Sequence, residues 1–170
     1  SNYPAHSVRV RNNIRVPPEI QVDIALVIDV TGSMQGEING TIATLKTLIG
    51  QLDPKNSPLL SLLGQSAPLM TLVVFKDEVT VKAFTKDLNV LLQAVESLKA
   101  SGGGTCPEAS VEALLATIPH VKAGGTIWFT TDASPYPDAN LAAVNQLLQS
   151  KHIRFNATVT GDCTAEGSQN

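Results

Sequence analysis

Asp23–Met34 reads DIALVIDVTGSM, and the order of residue types in it decides the fold. Ile24-Ala25-Leu26-Val27-Ile28 is a near-continuous apolar run rich in β-branched residues. That pattern suits a strand buried on both faces, as at the centre of a parallel sheet. The run stops at Asp29, and Thr31 and Ser33 follow at alternate positions with Gly32 between them to allow a tight turn. One carboxylate and two hydroxyls therefore leave the carboxyl end of a central strand, where open α/β sheets bind ligands. Asp-x-Thr-x-Ser offers oxygen donors only, the choice of hard cations such as Mg²⁺, Ca²⁺ or Mn²⁺ rather than zinc or copper. Alternate residues of an extended segment point the same way, which suits a shared ligand. The plainer reading is that Asp29 and Ser33 cap the helix that follows, a position both residue types favour.

Outward from this stretch, Ile38, Ile42, Leu45, Leu48, Ile49 and Leu52 recur at helical spacing, and Asp53-Pro54 stops the helix. Lys55–Pro68 reads as an irregular connection. Thr71–Phe75 is a second buried strand, and Val79–Phe84 alternates like a short antiparallel partner. Leu88, Leu91, Leu92, Val95 and Leu98 mark a second helix that ends at Gly102-Gly103-Gly104. A third helix starts near Thr105-Cys106-Pro107-Glu108 and carries Val111, Leu114, Leu115 and Ile118. Gly124-Gly125 resets the chain before the strand Thr126–Thr131, which also runs into an acid, Asp132. Leu141, Val144, Leu147 and Leu148 mark a last helix. Ile153, Phe155, Ala157 and Val159 then alternate with polar residues as a strand with one wetter face, near a sheet edge. Strands alternating with amphipathic helices predict a doubly wound α/β domain over residues 21–170, with a mostly parallel sheet, one antiparallel strand and helices on both faces. Residues 1–20, with Pro17-Pro18, read as a leader or linker in which Val8, Val10, Ile14 and Val16 form short extended pieces.

Composition bounds the function. A chain of 170 residues is long enough for one domain with a sizeable core, and 4% aromatic content makes that core aliphatic. A formal charge of −3 argues against general affinity for nucleic acid or anionic membranes. No apolar stretch approaches the roughly 20 residues needed to span a bilayer. Two cysteines, Cys106 and Cys163, either form one bridge or remain thiols.

Three segments put oxygen donors at one end of the predicted sheet: Asp29, Thr31 and Ser33; Thr105 after the glycine run; and Asp132. Asp29 and Asp132 converge if their strands are neighbours, and two carboxylates so placed repel unless a counter-charge lies between them. A divalent cation removes that conflict.

Asp-x-Thr-x-Ser, a glycine-preceded Thr and a strand-terminal Asp together resemble the metal-ion-dependent adhesion site of the von Willebrand factor type A domain. The resemblance runs from about Val22 to Cys163. It is strongest in DVTGSM, GGGTCPEAS, TTDASPYPD and VTGDC, which most resemble the type A domains of hemicentin-like extracellular proteins. It implies a Rossmann-like fold and a bound Mg²⁺, or else Mn²⁺ or Ca²⁺. Asp29, Thr31, Ser33 and Asp132 would hold the cation directly or through water, and Thr105 would move between the two modes. It further implies that an acidic group of a protein partner completes the metal, that the module is not an enzyme, and that it belongs to a larger protein at an extracellular, cell-surface or periplasmic location. Cys106 and Cys163 occupy matching positions in the hemicentin-like pattern, which implies a disulfide between them. Two departures matter. Hemicentin-like domains usually carry Asp where this chain has Thr105, which should leave the ion less tightly held and hungrier for a partner's carboxylate. Type A domains also continue with a further strand and helix, so the fold is expected to be truncated at Asn170 or completed elsewhere. The alternative is a structural or assembly domain with a weak or vestigial metal site.

Other candidates carry less. His6, His120 and His152 are scattered, without zinc-ligand spacing. GxSxG is absent around Ser33, and Ser101–Gly104 is not a phosphate loop. Trp128 reads as core because it lies in an apolar strand; Asp77-Glu78, Asp138 and Asp162 read as solvated turn acids. Met34 either rims the site or packs.

Overall fold

The computed structural model describes residues 10–12, 21–52, 68–76, 78–100, 109–131 and 140–159, with the backbone alone at 10–12, 33 and 48–52. Six strands among them form one sheet: β1 (Val10–Asn12), β2 (Val22–Asp29), β3 (Met70–Phe75), β4 (Val79–Thr85), β5 (Val121–Thr131) and β6 (Arg154–Val159). Their order is β1-β4-β3-β2-β5-β6. The β3–β4 pair is antiparallel and every other pair is parallel. The mostly parallel doubly wound sheet expected from the sequence is therefore present, and β1 runs with β4 along one edge.

Among the described residues four helices cover the sheet: α1 (Gln35–Leu52), α2 (Leu88–Glu96), α3 (Ser110–Thr117) and α4 (Leu141–Ser150). Local chemistry sets two of their starts. Asp87 accepts the Asn89 N–H at 2.8 Å ahead of α2, and Asn140 accepts the Ala143 N–H at 3.0 Å ahead of α4. The alternation of β2 splits the core in two. On one face Leu26 and Ile28 join Leu72 and Val74 of β3, Ile38 and Leu45 of α1, and Leu91 and Val95 of α2. On the other, Val27 joins Phe75, Ile127 and Phe129 with Val111 and Leu114 of α3 and Val144 of α4. Full burial of each such side chain contributes about 1.5–3 kcal/mol, and β2 holds the two halves together. Met34 is fully buried among the first group, so it packs rather than rims a site.

Three expectations are corrected. Gly124-Gly125 does not reset the chain but lies inside β5. Val22 pairs Val121 and Ile24 pairs Thr126, so β5 bulges by several residues against β2. Gly124 takes φ +80° within that bulge, a backbone conformation other residues resist. Trp128 is not core: it is 49% exposed. It sits on the α1 side of β5, but α1 packs over β2 and β3, leaving Trp128 at the wall of a cavity of about 350 Å³ with Leu26, Ile28 and Leu45. Finally, β6 has every residue exposed rather than one wet face, as befits an edge strand flanked on one side only.

Candidate metal centre at the carboxyl edge of the sheet

The alternation that buries Val27 also fixes where Asp29 points. It shares a face with Val27 and lies in register with Phe75 on β3. Below it, Phe75 and Phe129 stack across β2 with ring centroids 5.8 Å apart, and Phe155 extends the row at 5.7 Å from Phe129. Asp29 is fully buried above this apolar floor. A carboxylate in such a place is tolerated only when hydrogen-bonded or paired with charge.

Both of its oxygens have donors. Thr31 gives Asp29 Oδ1 its backbone N–H at 2.9 Å and its hydroxyl at 2.7 Å. Thr131, at the end of β5, donates its hydroxyl to Oδ2 at 2.8 Å. Thr31 and Thr131 are themselves 5% and 3% exposed, so the three side chains form one buried cluster. Asp29 lies two residues before the N-cap of the turn that follows. The 3₁₀ turn Gly32–Met34 has Thr31 as its N-cap, with no side-chain capping bond. Ser33 lies in that turn, directly after the Asp29–Thr31 pair.

Thr131 escaped the sequence reading. Its signal was the register: Ile28 pairs Thr130, so the next residue of β5 falls beside Asp29. Nothing in the local sequence of β5 distinguishes a hydroxyl that serves a distant carboxylate from one that closes a strand. Thr105, Asp132, Cys106 and Cys163 lie outside the described residues. Their flanks are described. Asp132 directly follows Thr131 in the chain. The segment holding Thr105 leaves Ala100, whose N–H is bound by Gln35 Oε1 at 3.2 Å, and rejoins at Ala109, whose N–H is bound by Lys76 O at 2.9 Å. Lys76 directly follows Phe75, the residue in register with Asp29, and Gln35 opens α1.

The donor set suits a hard cation. A Thr hydroxyl that donates its proton to a carboxylate keeps lone pairs for a metal. Among the described residues no three His, Cys, Asp or Glu side chains come together. His120 ends a 3₁₀ turn and His152 sits at φ 53° after α4, neither at this edge. Asp23, the other acid of the opening stretch, serves the opposite end of β2. It pairs with Lys122 and accepts the Leu69 N–H at 2.8 Å. The Lys122 ammonium, aided by Leu69, holds its carboxyl below the usual range against the opposing pull of burial.

Comparison with known proteins agrees with this architecture. The family model described as von Willebrand factor A domain matches residues 23–170. Human Hemicentin-1 is 31% identical over 148 residues, covering 86% of this chain and 2% of that protein. Human von Willebrand factor A domain-containing protein 7 is 31% identical over 141 residues, covering 82% of this chain and 15% of that protein. The chain thus spans a small part of the relatives it matches, which carry this domain within larger proteins. Among solved structures, proximal thread matrix protein 1 from the mussel byssus superposes with a TM-score of 0.53 at 16% identity, covering 94% of this chain and 38% of that one. That likeness speaks for the fold. With a match over 148 residues and the sheet order found here, the chain belongs to the von Willebrand factor A domain family.

Proposed function

We propose that this domain is a non-catalytic protein-binding module in which Asp29, Thr31, Ser33, Thr105 and Asp132 hold a divalent cation, Mg²⁺ above Mn²⁺ or Ca²⁺, at the carboxyl edge of the sheet. The observation that carries the reading is the fully buried Asp29 carboxylate, approached by the hydroxyls of Thr31 and Thr131 from two strand ends. When bound, the cation supplies a positive position with a preference for oxygen, which an acidic group of a partner protein completes. Asp29 anchors that position, and its hydrogen bonds fix its orientation before any ligand arrives. Thr31 holds the loop by two bonds to one carboxylate oxygen. The bond to Asp29 fixes Thr131, the last residue before Asp132.

The same reading puts the domain outside the cell, at an extracellular, surface or periplasmic location, as one part of a larger protein. Its similarity to hemicentin-1 and the small share of that protein it spans support this. A Cys106–Cys163 disulfide belongs to the same proposal, since such a bridge needs an oxidising compartment.

A second reading has its own support. Both Asp29 oxygens already accept hydrogen bonds from the protein, as they would in a structural domain whose metal site has lapsed. Calorimetric titration with Mg²⁺ and Mn²⁺ separates the two. One site in the wild type, lost in Asp132→Ala with the fold intact, supports the cation module; no heat in either protein selects the structural reading.

A further inference from the structure

A second feature opens at the same edge, on the face that carries α1 and α2. It is a cleft of about 500 Å³ between the end of β3, the outer face of β4 and the turn after α2. Val30, the residue between Asp29 and Thr31, forms part of its wall. The cleft therefore begins one residue from two proposed cation ligands.

Its chemistry is cationic. Lys76, Lys82 and Lys99 line it against a single described carboxylate, Glu78, and Thr80 and Ser97 add hydroxyls. This concentration stands out in a chain whose formal charge is −3. Lys82 and Lys99 are exposed and have no ion-pair partner among the described residues. Lys82 owes its aim to a break in the ladder. Val81 pairs Val73 and Ala83 pairs Leu72, so Lys82 is the extra residue of a bulge, a device that redirects side chains next to binding sites. Like charges gathered in a cleft focus a positive potential and favour an anionic guest.

We propose that this cleft takes a second acidic side chain of the partner, so that the domain recognises an acidic segment at two points: one carboxylate on the cation and another among Lys76, Lys82 and Lys99. This rests on the cation-module reading above. An extended segment advances about 3.3 Å per residue with alternate side chains on one side, so acids spaced a few residues apart reach both positions. Charge-assisted hydrogen bonds from the ammonium groups hold the second carboxylate.

The test uses fluorescein-labelled hexa-aspartate and fluorescence anisotropy on the whole chain at about 50 mM salt, where surface charge is only partly screened. Lys82→Gln/Lys99→Gln should weaken binding by about tenfold while the Mg²⁺-induced rise in melting temperature stays as in wild type. The charge-matched control Lys46→Gln/Lys86→Gln, at lysines outside the cleft, should change it by less than about threefold. Equal losses in the two double variants, or wild-type affinity in Lys82→Gln/Lys99→Gln, overturn the proposal. So does a cleft that takes heparin oligosaccharide and not hexa-aspartate. Peptide binding that is equal in Mg²⁺ and in chelator, with no Mg²⁺ effect on melting, strikes the cation reading alone. The lysine comparison repeated in chelator then decides whether the cleft binds carboxylates by itself.

Discussion

Thr131 Oγ1 donates a 2.8 Å hydrogen bond to Asp29 Oδ2 across 102 residues of sequence. The bond ties the carboxyl ends of β2 and β5 together at a buried carboxylate, and it sets the chain position from which Asp132 departs. Replacing the hydroxyl by a methyl of the same shape, Thr131→Val, removes one donor from that buried oxygen. The expected cost is about 1–3 kcal/mol in urea denaturation, together with weaker Mg²⁺ binding. A variant as stable as the wild type would mean the bond is incidental.

Cation binding to the folded state alone must raise its stability. At about tenfold over its dissociation constant, Mg²⁺ should add roughly 1.4 kcal/mol, a rise of about 3–6 °C in melting temperature for a domain of this size. Thermal melts in chelator and in millimolar Mg²⁺ read this directly. Asp132→Ala should remove the shift and keep the fold.

Asp23 gives the pH dependence its sign. Its folded pKa is depressed by Lys122, so its contribution is present at neutral pH and is lost as pH falls through a value below the ordinary ~3.9 of aspartate. Asp23→Ala should cost about 1 kcal/mol at pH 7, from the lost Lys122 pair together with the lost Leu69 bond. The gap from wild type should close in acid. A gap that stays constant down to the lowest pH at which the protein folds would refute the assignment.

Two glycines should respond in opposite directions. A Cβ at Gly125 would meet Val121 Cγ1 at 2.7 Å, Lys122 O at 2.9 Å and Asp23 O at 3.0 Å. Backbone oxygens cannot swing away, so Gly125→Ala should lose about 1–3 kcal/mol. Gly40, in the middle of α1, has nothing within 4 Å of the same position. Gly40→Ala should gain about 0.5–1 kcal/mol. Calorimetric melting of the two variants checks both signs.

Adjacent residues of β5 offer a similar contrast. Phe129 is buried and stacked between Phe75 and Phe155, so Phe129→Ala should cost about 3–5 kcal/mol. Trp128 points to the opposite face and is half exposed; Trp128→Gln should stay within about 1 kcal/mol. Comparable losses would mean that Trp128 is core after all.

The β2 strand and its terminal Asp29 were legible because an apolar run of that length, cut off by an acid, has few other uses. The helices were legible from their apolar stripes: Ile38 and Leu45, Leu91 and Val95, Val111 and Leu114 all reach the core. What failed depended on other parts of the chain. Trp128 belongs to an apolar strand, and only the placement of α1 over β2 and β3 leaves it uncovered. Gly124-Gly125 looks like a boundary because the bulge that absorbs it exists only against β2. Thr131 became part of the site through a register that no local pattern encodes. The lysine cleft is similar, since Lys76, Lys82 and Lys99 come from three different segments.

The place of β2 between β3 and β5 has a consequence for how the domain is made. Ile24 pairs with Met70 on one side and with Thr126 on the other. The strand is made before both of its neighbours and acquires the second only when about a hundred further residues have followed. Contacts so distant in sequence form late and slow a folding reaction. Until β5 docks, Asp29 lacks Thr131 and the sheet ends beside it. On the cation reading, completion of the proposed site is thus a timestamp: a nascent or nicked chain that stops short of Thr131 lacks the bond that orients Asp29 from β5.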